Sequence, residues 1–500
     1  MRRFYLLLPA CLLLVASTAS AGGFLIYEHG ASATGMASAR TAIANEPSSL
    51  FYNPAAITEL EGFQFQLGVT GILPYIEYDA AGDADLREYV STDADNNSIT
   101  RPVNDGTNST DAKLKGFNPI HLYATYNIES IGLTVGYSLT NPFGLGTYWP
   151  GDWDGRFLAT ETEIHTFFNQ PTVAVDVAEL LGFKDKFKLS LAVGYNFVYG
   201  TARLSKRIDL RVAEARLFDY QPGDADPWSE MRMEGSAVGH GYNFALYAEL
   251  PGWIAFGASV RSGISLPFSG DAEFWYNAAG SRARAALASA SGLQDPTQFL
   301  PNETKGDITI DLPWNMNFGI AFLGVENLKI EFDFYIAFFE SYDELDLQFK
   351  CVEQGNCAGL ADAEPIVKNW HESMQFSLAG EYLLFDSLFL RAGYGIVTTP
   401  VPEEHFDPSL PDGRRDLICF GAGYQSSWWK IDIGYMLAMW EGTKSHQKGN
   451  FAGAGSGLSG PAVTEDGEFV DPLLGNPEGL ANGTYTTHSH LLALSFQGRF

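Results

Sequence analysis

Apolar and polar residues alternate along most of the chain after residue 62. Between residues 187 and 199, every odd position is aliphatic or aromatic, and the even positions are mostly small or polar. The same alternation returns in residues 328–338, 431–439 and 492–500. Because a β-strand points successive side chains to opposite faces, each segment predicts a strand with one face suited to lipid and the other to a polar interior.

The connections between these segments are of two kinds. Short turns are predicted at residues 129–130, 178–185, 251–252, 324–327, 385–386 and 425–427, and longer loops at residues 79–118, 141–160, 205–237, 271–306, 341–369, 398–414 and 441–483. The sequence therefore predicts an all-β fold, a transmembrane antiparallel β-barrel of about fourteen strands, with the loop asymmetry of bacterial outer-membrane proteins. A β-propeller also has many short strands, but no repeat of blade length is visible.

The start of the chain has a different pattern. Arg2 and Arg3 precede an apolar run, and small residues occupy positions 19–21, so we interpret residues 1–21 as a secretory signal peptide. Residues 22–61 are apolar and rich in small residues, without a strand's alternation or a sustained helical stripe. We interpret them as a hatch that plugs the lumen of a barrel formed by residues 62–500.

Hydropathy and charge narrow the class of protein. After the signal peptide, no apolar run reaches the roughly 18 residues of a membrane-spanning helix, which disfavours a helical membrane protein. The formal net charge of -29 excludes nucleic acid as a natural partner, because phosphate binding needs an excess of Lys and Arg. Much of the acid lies in the predicted loops, where it suits solubility and ion bridging to an anionic cell surface.

Two cysteines lie close together in a predicted loop. Cys351 and Cys357 bracket a short polar stretch. In the oxidising compartment to which a signal peptide leads, this spacing predicts a local disulfide.

The histidines of the last predicted strand raise the question of catalysis. His488 and His490 share one face of that strand, with Ser489 on the other. Two histidines supply too few ligands for a metal site, and the sequence contains no Gly-x-Ser-x-Gly or His-Glu-x-x-His motif. We therefore expect no enzymatic activity, no cofactor and no metal.

Short pieces spread along the chain resemble one membrane-protein family. In chain order they are Gly23-Phe24, Asn53-Pro54-Ala55, Asn141-Pro142-Phe143-Gly144-Leu145, Trp153-Asp154-Gly155-Arg156, Arg261-Ser262, Asp311-Leu312-Pro313, Pro400-Val401-Pro402, Pro411-Asp412, Arg415 and Phe500. Their order resembles that of the FadL/TodX-type outer-membrane transporters of long-chain fatty acids and other hydrophobic compounds. The resemblance covers nearly the whole mature sequence.

The resemblance implies that the hatch takes part in ligand binding. It assigns ligand contacts in the hatch and lumen to Phe24, Leu25, Ile26, Tyr27, Asn53 and Pro54. The first four form an apolar cluster that would supply a hydrophobic pocket in a polar lumen. The Asn53-Pro54 turn is also explained as a structural corner with an indirect role.

The family also has a lateral portal at an inward kink of the third strand. By motif match, the portal comprises Asn141, Pro142, Phe143 and Gly144, and the kink centres on Gly144. A glycine can interrupt a ladder, and Pro142 withholds a backbone donor. The alternative is an ordinary loop start rich in turn formers.

An outer groove in the family first captures the ligand among the loops. Helices are predicted over residues 204–220 and 281–293, and the groove candidates are Leu210, Val212, Leu217, Phe218 and Leu287. Packing within the loops is an equally good explanation of these residues. Burying a carboxylate calls for a cation, and the candidate anchors are Arg203, Lys206, Arg207 and Lys368. Basic residues at a barrel rim also contact lipopolysaccharide.

The predicted function is passive uptake of hydrophobic compounds across the bacterial outer membrane, by hatch movement and lateral diffusion through the third-strand opening. The alternative is a general porin for small polar solutes, which would have no use for a long apolar plug. Expected partners are the hydrophobic ligand, outer-membrane lipid and lipopolysaccharide, and the barrel assembly machinery, which would recognise the terminal Phe500. We expect a monomer.

Overall fold

The computed structural model describes residues 22–80, 88–92, 98–102, 109–183, 186–210, 227–361, 365–444, 462–463, 469–470, 481 and 483–500. The predicted signal peptide lies outside the described residues. Within these ranges, no helix is both long and apolar enough to cross a membrane.

Across the described ranges, fourteen antiparallel strands form a closed barrel. They are β1 (Phe63–Ala80), β2 (Ile120–Ile128), β3 (Leu133–Thr140 and Gly144–Tyr148), β4 (Glu161–Asp176), β5 (Lys188–Asp209), β6 (Trp228–Leu250), β7 (Ile254–Arg261 and Ile264–Tyr276), β8 (Glu303–Leu312 and Trp314–Val325), β9 (Leu328–Phe338), β10 (Glu372–Leu384), β11 (Leu388–Val397), β12 (Arg415–Gln425), β13 (Trp429–Lys444) and β14 (Gly483–Arg499). β14 pairs with β1, from Gln64 opposite Arg499 to Ala80 opposite Gly483, and this pairing closes the wall. The predicted barrel is confirmed.

Smaller elements lie in the lumen, turns and loops. The α-helices are α1 (Ala31–Thr34), α2 (Ser49–Tyr52), α3 (Val177–Leu180), α4 (Ala278–Ala290) and α5 (Lys350–Glu353). The 3-10 helices are Pro54–Glu59, Glu129–Ile131, Pro296–Gln298, Phe339–Ser341, Ala358–Leu360 and Glu403–His405. The short loop strands are Glu88–Thr92, Ser98–Pro102, Thr110–Asp111, Glu344–Leu345, Leu347–Phe349, Ile366–Val367, Ala462–Val463 and Phe469–Val470.

The predicted alternation of side chains is confirmed. On β5, the residues that point outward are 39% to 48% exposed: Leu191, Val193, Tyr195, Phe197 and Tyr199. Their neighbours Ser190 and Asn196 are buried in the lumen. The outward rows of successive strands form the apolar belt that faces the hydrocarbon of a bilayer.

The connection after β5 corrects two predictions. Residues 205–237 were expected to form a loop and residues 204–220 a helix, but β5 and β6 stay paired as far as Asp209 and Trp228. Cross-strand contacts stabilise this extension, including an ion pair of 2.6 Å between Arg203 and Glu234. Residues 211–226 lie outside the described residues. The other predicted loop helix is present as α4, shifted by three residues at each end.

Carboxyl groups of the wall accept hydrogen bonds from backbone amides in the middle of the plug. Nearly every residue from 22 to 60 is buried. Asp333 of β9 accepts hydrogen bonds from the amides of Arg40 and Thr41, each at 3.0 Å. Glu331, two residues earlier, accepts from the next two amides of the plug. Irregular backbone at membrane depth requires such partners.

Buried charges tie the plug to the wall near the short turns. They are Arg40 and Glu46 of the plug, and Glu381, Arg391, Lys430 and Asp432 of the wall. Glu46 is 3.0 Å from the Lys430 ammonium, and Arg40 is 3.6 Å from the Glu381 carboxylate. All six side chains are at most 2% exposed. This network ties the plug to the strands β10, β11 and β13 close to their short turns.

Candidate ligand-binding site

An apolar cavity of about 140 Å³ lies between the start of the plug and the wall. We call it the inner cavity. Residues 22, 23 and 25–28 form its plug side, and its apolar wall includes Ile72, Leu417, Met436, Trp440 and Leu491. Glu28 and Arg415 are charged residues in this lining. A mostly apolar lining with a few polar groups is typical of a site for a hydrophobic small molecule.

The start of the plug lies in a break of β3. The strand stops at Thr140 and resumes at Gly144. Ile26 donates its amide to the carbonyl oxygen of Pro142 at 2.8 Å, and Gly144 donates its amide to that of Phe24 at 3.0 Å. The start of the plug therefore supplies hydrogen-bond partners to backbone groups of β3 that have no neighbouring strand on that side.

Side chains supply hydrogen bonds to other backbone groups at the break in β3. The Asn141 side chain accepts from the amide of Ile120 at 2.9 Å and donates to the carbonyl of Thr166 at 2.7 Å. The Thr166 hydroxyl donates to the carbonyl of Phe143 at 2.7 Å. The four residues predicted as a portal thus form an ordered interruption of the wall.

Phe24 lies in a box of aromatic rings. Its ring is 1% exposed, and its centroid is 5.5 to 5.9 Å from those of Phe143, Phe339, Tyr342 and Trp370. Among the predicted hatch contacts, Leu25, Ile26 and Tyr27 line the inner cavity. Phe24 does not line it and packs into the box beside it.

The residue before Phe24 is fixed by a buried carboxylate and an arginine. The amide of Gly23 donates to Asp412 at 2.9 Å, and its carbonyl oxygen accepts from Arg415 at 3.1 Å. Arg415 also pairs with Asp412 at 3.0 Å. These contacts hold the N-terminal start of the plug against the start of β12.

The Asn53-Pro54 turn lies elsewhere in the plug. The Asn53 side chain accepts from the amide of Ala55 at 3.2 Å and donates to the carbonyls of Thr41 and Leu246 at 2.8 and 3.1 Å. Pro54 begins the 3-10 helix that follows, where its missing amide needs no partner. The turn joins two parts of the plug to the wall and does not line the inner cavity.

A second cavity of about 80 Å³ lies among the outer loops. We call it the outer cavity. Its apolar lining includes Leu204, Met231, Ile308, Leu345, Phe349 and Leu360. Lys206 and Lys368, two of the predicted anchors, line it together with Asp407 and Glu161. The fold thus brings together two lysines that are far apart in the sequence.

The outer cavity is lined by two cations and two carboxylates. Burial lowers the pKa of Lys206 to about 8, an effect that Asp407 opposes and Lys368 adds to. Lys368 forms an ion pair with Asp407, and Glu161 is paired with Arg203 at 3.2 Å. Lys206 and Lys368 thus place two cationic side chains in this lining, within reach of an anion in the cavity.

The other outer candidates have different positions. Arg203 forms ion pairs with Glu161, Glu163 and Glu234, and the Arg207 guanidinium stacks on the Trp228 ring at 4.0 Å. Leu210 is buried, and Leu287 of α4 packs against the same apolar cluster. Val212, Leu217 and Phe218 lie outside the described residues.

Cys351 and Cys357 form a disulfide, with Cα atoms 5.7 Å apart. The bond closes a small loop that includes all but the first residue of α5. Phe349 precedes this loop and Leu360 follows it, and both line the outer cavity. The disulfide therefore constrains one wall of that cavity.

Sequence reasoning missed much of the inner cavity. Arg415 belongs to one of the short pieces that resemble the family, but nothing in the sequence marks it as a cavity residue. Met436, Ala438 and Trp440 occupy the inward face of β13, where Lys430, Asp432 and Gly434 precede them. The change from polar to apolar along one inward face is a signal that could have located the cavity.

The closed barrel, its apolar belt and its plugged lumen define a bacterial outer-membrane transport protein. The chain belongs to the outer membrane protein transport protein family (OMPP1/FadL/TodX), whose pattern matches residues 12–497.

Relatives span most of the chain. It is 25% identical over 420 residues to a protein of Neisseria meningitidis serogroup B named as an outer membrane protein, covering 82% of this chain and 83% of that one. It is 22% identical over 447 residues to the long-chain fatty acid transport protein of Escherichia coli K12, covering 83% and 87%.

Solved structures share the fold. A FadL homologue of Pseudomonas aeruginosa has a TM-score of 0.71 at 21% identity, covering 96% of this chain and 100% of that one. The toluene transporter TodX of Pseudomonas putida has a TM-score of 0.62 at 13% identity, covering 94% and 98%.

Proposed function

We propose that this protein carries amphiphiles with a long apolar chain and an anionic headgroup, such as long-chain fatty acids, passively across the outer membrane. The observation that carries the proposal is the pair of apolar cavities, the inner one lined by the neighbours of Phe24 and the outer one by Lys206 and Lys368. An apolar chain gains free energy by leaving water for either cavity. A lysine that lines the outer cavity offers a charged partner to the anionic headgroup of the ligand.

Two kinds of relative bear on the substrate. The proteins of Escherichia coli and Salmonella typhi carry the name long-chain fatty acid transport protein, whereas TodX is a toluene transporter. A neutral hydrocarbon needs no cation. Burying lysines in a site for a neutral hydrocarbon would cost free energy that no contact with the ligand offsets. The lysines of the outer cavity therefore favour the anionic class.

The moving part in this proposal is the start of the plug. Tyr342 and Trp370 of the Phe24 box lie three and two residues in sequence from Leu345 and Lys368 of the outer cavity. Gly23 and Leu25, on either side of Phe24, line the inner cavity. Withdrawal of Phe24 from its box would join the two cavities, while the charged contacts of residues 40–46 hold the rest of the plug.

Exit would be sideways into lipid. Straight passage leads through the buried charges around Glu381 and Arg391, and an apolar ligand that parts them leaves charges unpaired, at a cost of several kcal/mol. Lateral movement past the break in β3 takes the ligand from one apolar medium to another. This supports the third-strand route over a path to the short turns.

The proposal also covers partners and alternatives. We propose transport as the function and no catalysis, cofactor or metal. Lipid and lipopolysaccharide would contact the belt and rim, and the assembly machinery would recognise Phe500, whose side chain is 71% exposed. The protein would act as a monomer. A general porin is the competing function, and it requires a polar route that the buried plug does not favour.

The test is binding and uptake in liposomes that carry the full-length mature protein. We expect saturable uptake of labelled oleate by the wild type and no swelling in small sugars. Lys206→Met should weaken oleate binding several-fold, while Lys305→Met, a solvent-exposed lysine that pairs with Asp271, should leave it unchanged. Free passage of sugars without saturable oleate uptake would instead support the porin.

A further inference from the structure

The wall of the barrel is incomplete beside the break in β3. Because β2 begins only at Ile120, the outer parts of β1 and β3 have no full strand between them. Residues 109–118, which we call the strap, lie in this gap. Ile72 of β1 and Phe117 exchange both backbone hydrogen bonds, at 2.8 and 2.9 Å. On the other side, Lys113 donates its amide to the carbonyl of Tyr148 at 2.6 Å.

The ring of Phe117 lies against the backbone of β3. A Cβ placed on Gly146 would be only 1.9 Å from Cζ of Phe117, so a side chain there would displace the ring. Gly144 lies two residues earlier and hence on the same face of the strand. A Cβ on Gly144 would be 2.8 Å from Cδ1 of Ile26. Phe117 of the strap and Ile26 of the plug therefore pack side by side on the face of β3 that carries Gly144 and Gly146.

The side chains of Ile26 and Phe117 lie between the inner cavity and the apolar belt that faces lipid. Ile26 and Phe117 both line the inner cavity. Leu73, next to Ile72, and Ile120, just after the strap, each point outward and are 43% exposed. A molecule that passes the Phe117 ring from the inner cavity therefore reaches the hydrocarbon of the bilayer.

We propose that Phe117 is the gate of the lateral exit and that Ile26 controls it. With Ile26 seated on Gly144, the ring of Phe117 is held over Gly146 and closes the cavity toward lipid. Withdrawal of Ile26 with the plug leaves unfilled space beside the ring, and a close-packed interior does not keep such a void. The ring then turns to another rotamer and opens the path. This proposal rests on the proposed function, because it needs a hydrophobic ligand in the inner cavity.

The test measures exit of a fluorescent fatty acid into lipid. Mature protein is placed in nanodiscs of brominated phospholipid, loaded with cis-parinaric acid and chased with excess palmitate. Parinaric acid inside the barrel stays fluorescent, and molecules that enter the brominated lipid are quenched. The variants are Phe117→Ala, which removes the ring, and Gly146→Ala, which displaces it. Leu114→Ala is the matched control, since Leu114 lies on the strap, is 53% exposed and does not line the inner cavity.

We expect Phe117→Ala and Gly146→Ala to quench about tenfold faster than the wild type, as fits the loss of an aromatic packing contact. Leu114→Ala should match the wild type. Wild-type rates in both gate variants, with normal parinarate binding and oleate uptake, would overturn the gate and leave the proposed function standing. Equal acceleration by Leu114→Ala would also overturn it, because loosening the strap would then be sufficient. A wild type that binds no parinarate would overturn the proposed function together with the gate.

Discussion

The amide of Gly144 donates a hydrogen bond of 3.0 Å to the carbonyl oxygen of Phe24. This bond joins the residue on which the kink of β3 was predicted to centre to the residue at the middle of the aromatic box. In the transport mechanism proposed above, a ligand that displaces Phe24 also releases a backbone partner of the wall. The same short segment would then couple capture of the ligand to opening of the wall.

Truncating Phe24 should detach the start of the plug without unfolding the barrel. Phe→Ala in a packed site costs about 3–5 kcal/mol, whereas the barrel is closed independently by the pairing of β1 with β14. We expect Phe24→Ala to expose residues 22–30 to limited proteolysis, read by mass spectrometry, with an unchanged heat-modifiability shift on gels. The matched control is Phe63→Ala, which removes an outward ring that is 41% exposed. If the N-terminal residues stay protected, the aromatic box is not what holds them.

The effect of substituting Gly144 on uptake should depend on the size of the new side chain. The one tight contact of a methyl group at this position is Cδ1 of Ile26 at 2.8 Å, the flexible end of a side chain, and the backbone oxygen of Ile164 lies at an ordinary 3.5 Å. Gly144→Ala should therefore keep at least half of the wild-type oleate uptake. Gly144→Arg adds a long charged side chain to the inner cavity and should abolish uptake at equal surface expression. Equal uptake by the arginine variant and the wild type would exclude the break in β3 as part of the route.

The outer cavity should bind anions less tightly at high pH. Lysine has an unperturbed pKa of about 10.4, and burial lowers that of Lys206 to about 8, so Lys206 is charged below this pH and neutral above it. Although burial opposes it, Asp407 raises the pKa of Lys368, so Lys368 stays charged throughout. Affinity for decanesulfonate, whose own charge is constant, should therefore fall as pH rises from 7 to 10, by up to about tenfold.

Lys206→Met should remove most of this pH step and lower the affinity at pH 7 to the high-pH level. Decanol serves as the uncharged control ligand, and its affinity should not change over the same range. The measurement is isothermal titration calorimetry in one detergent. A step of the same size in the variant would assign the titration to another group.

Loss of Asp333 should loosen the middle of the plug. Its carboxyl group accepts from two plug amides and from the hydroxyl of Thr41 at 2.7 Å, and an intramolecular hydrogen bond contributes about 0.5–1.5 kcal/mol. We expect Asp333→Ala to raise ion conductance in planar bilayers, because the lumen opens intermittently to water. Asp271→Ala, which removes an exposed carboxylate paired with Lys305, is the control and should conduct as the wild type does.

Some errors of prediction have a common cause. A helix was expected over residues 204–220, but the first part of this segment pairs with β6, where Leu204 faces Met233 in the ladder. Local pattern cannot show that a neighbouring strand is available, and such pairing overrides weak helical preference. The same limit hid Phe117, which stands in a polar loop in the sequence and lies against Gly146 only after β1 and β3 are assembled.

The alternation of residues, the turn lengths and the apolar plug determined the barrel, because these are local properties that repeat with the period of a strand. The tertiary structure decided the site. It joined Lys206 to Lys368, placed Phe24 in its box and brought Ile26 and Phe117 to one glycine face. These contacts connect residues far apart in the chain, so they depend on strand register and on the path of the plug, which no local pattern encodes.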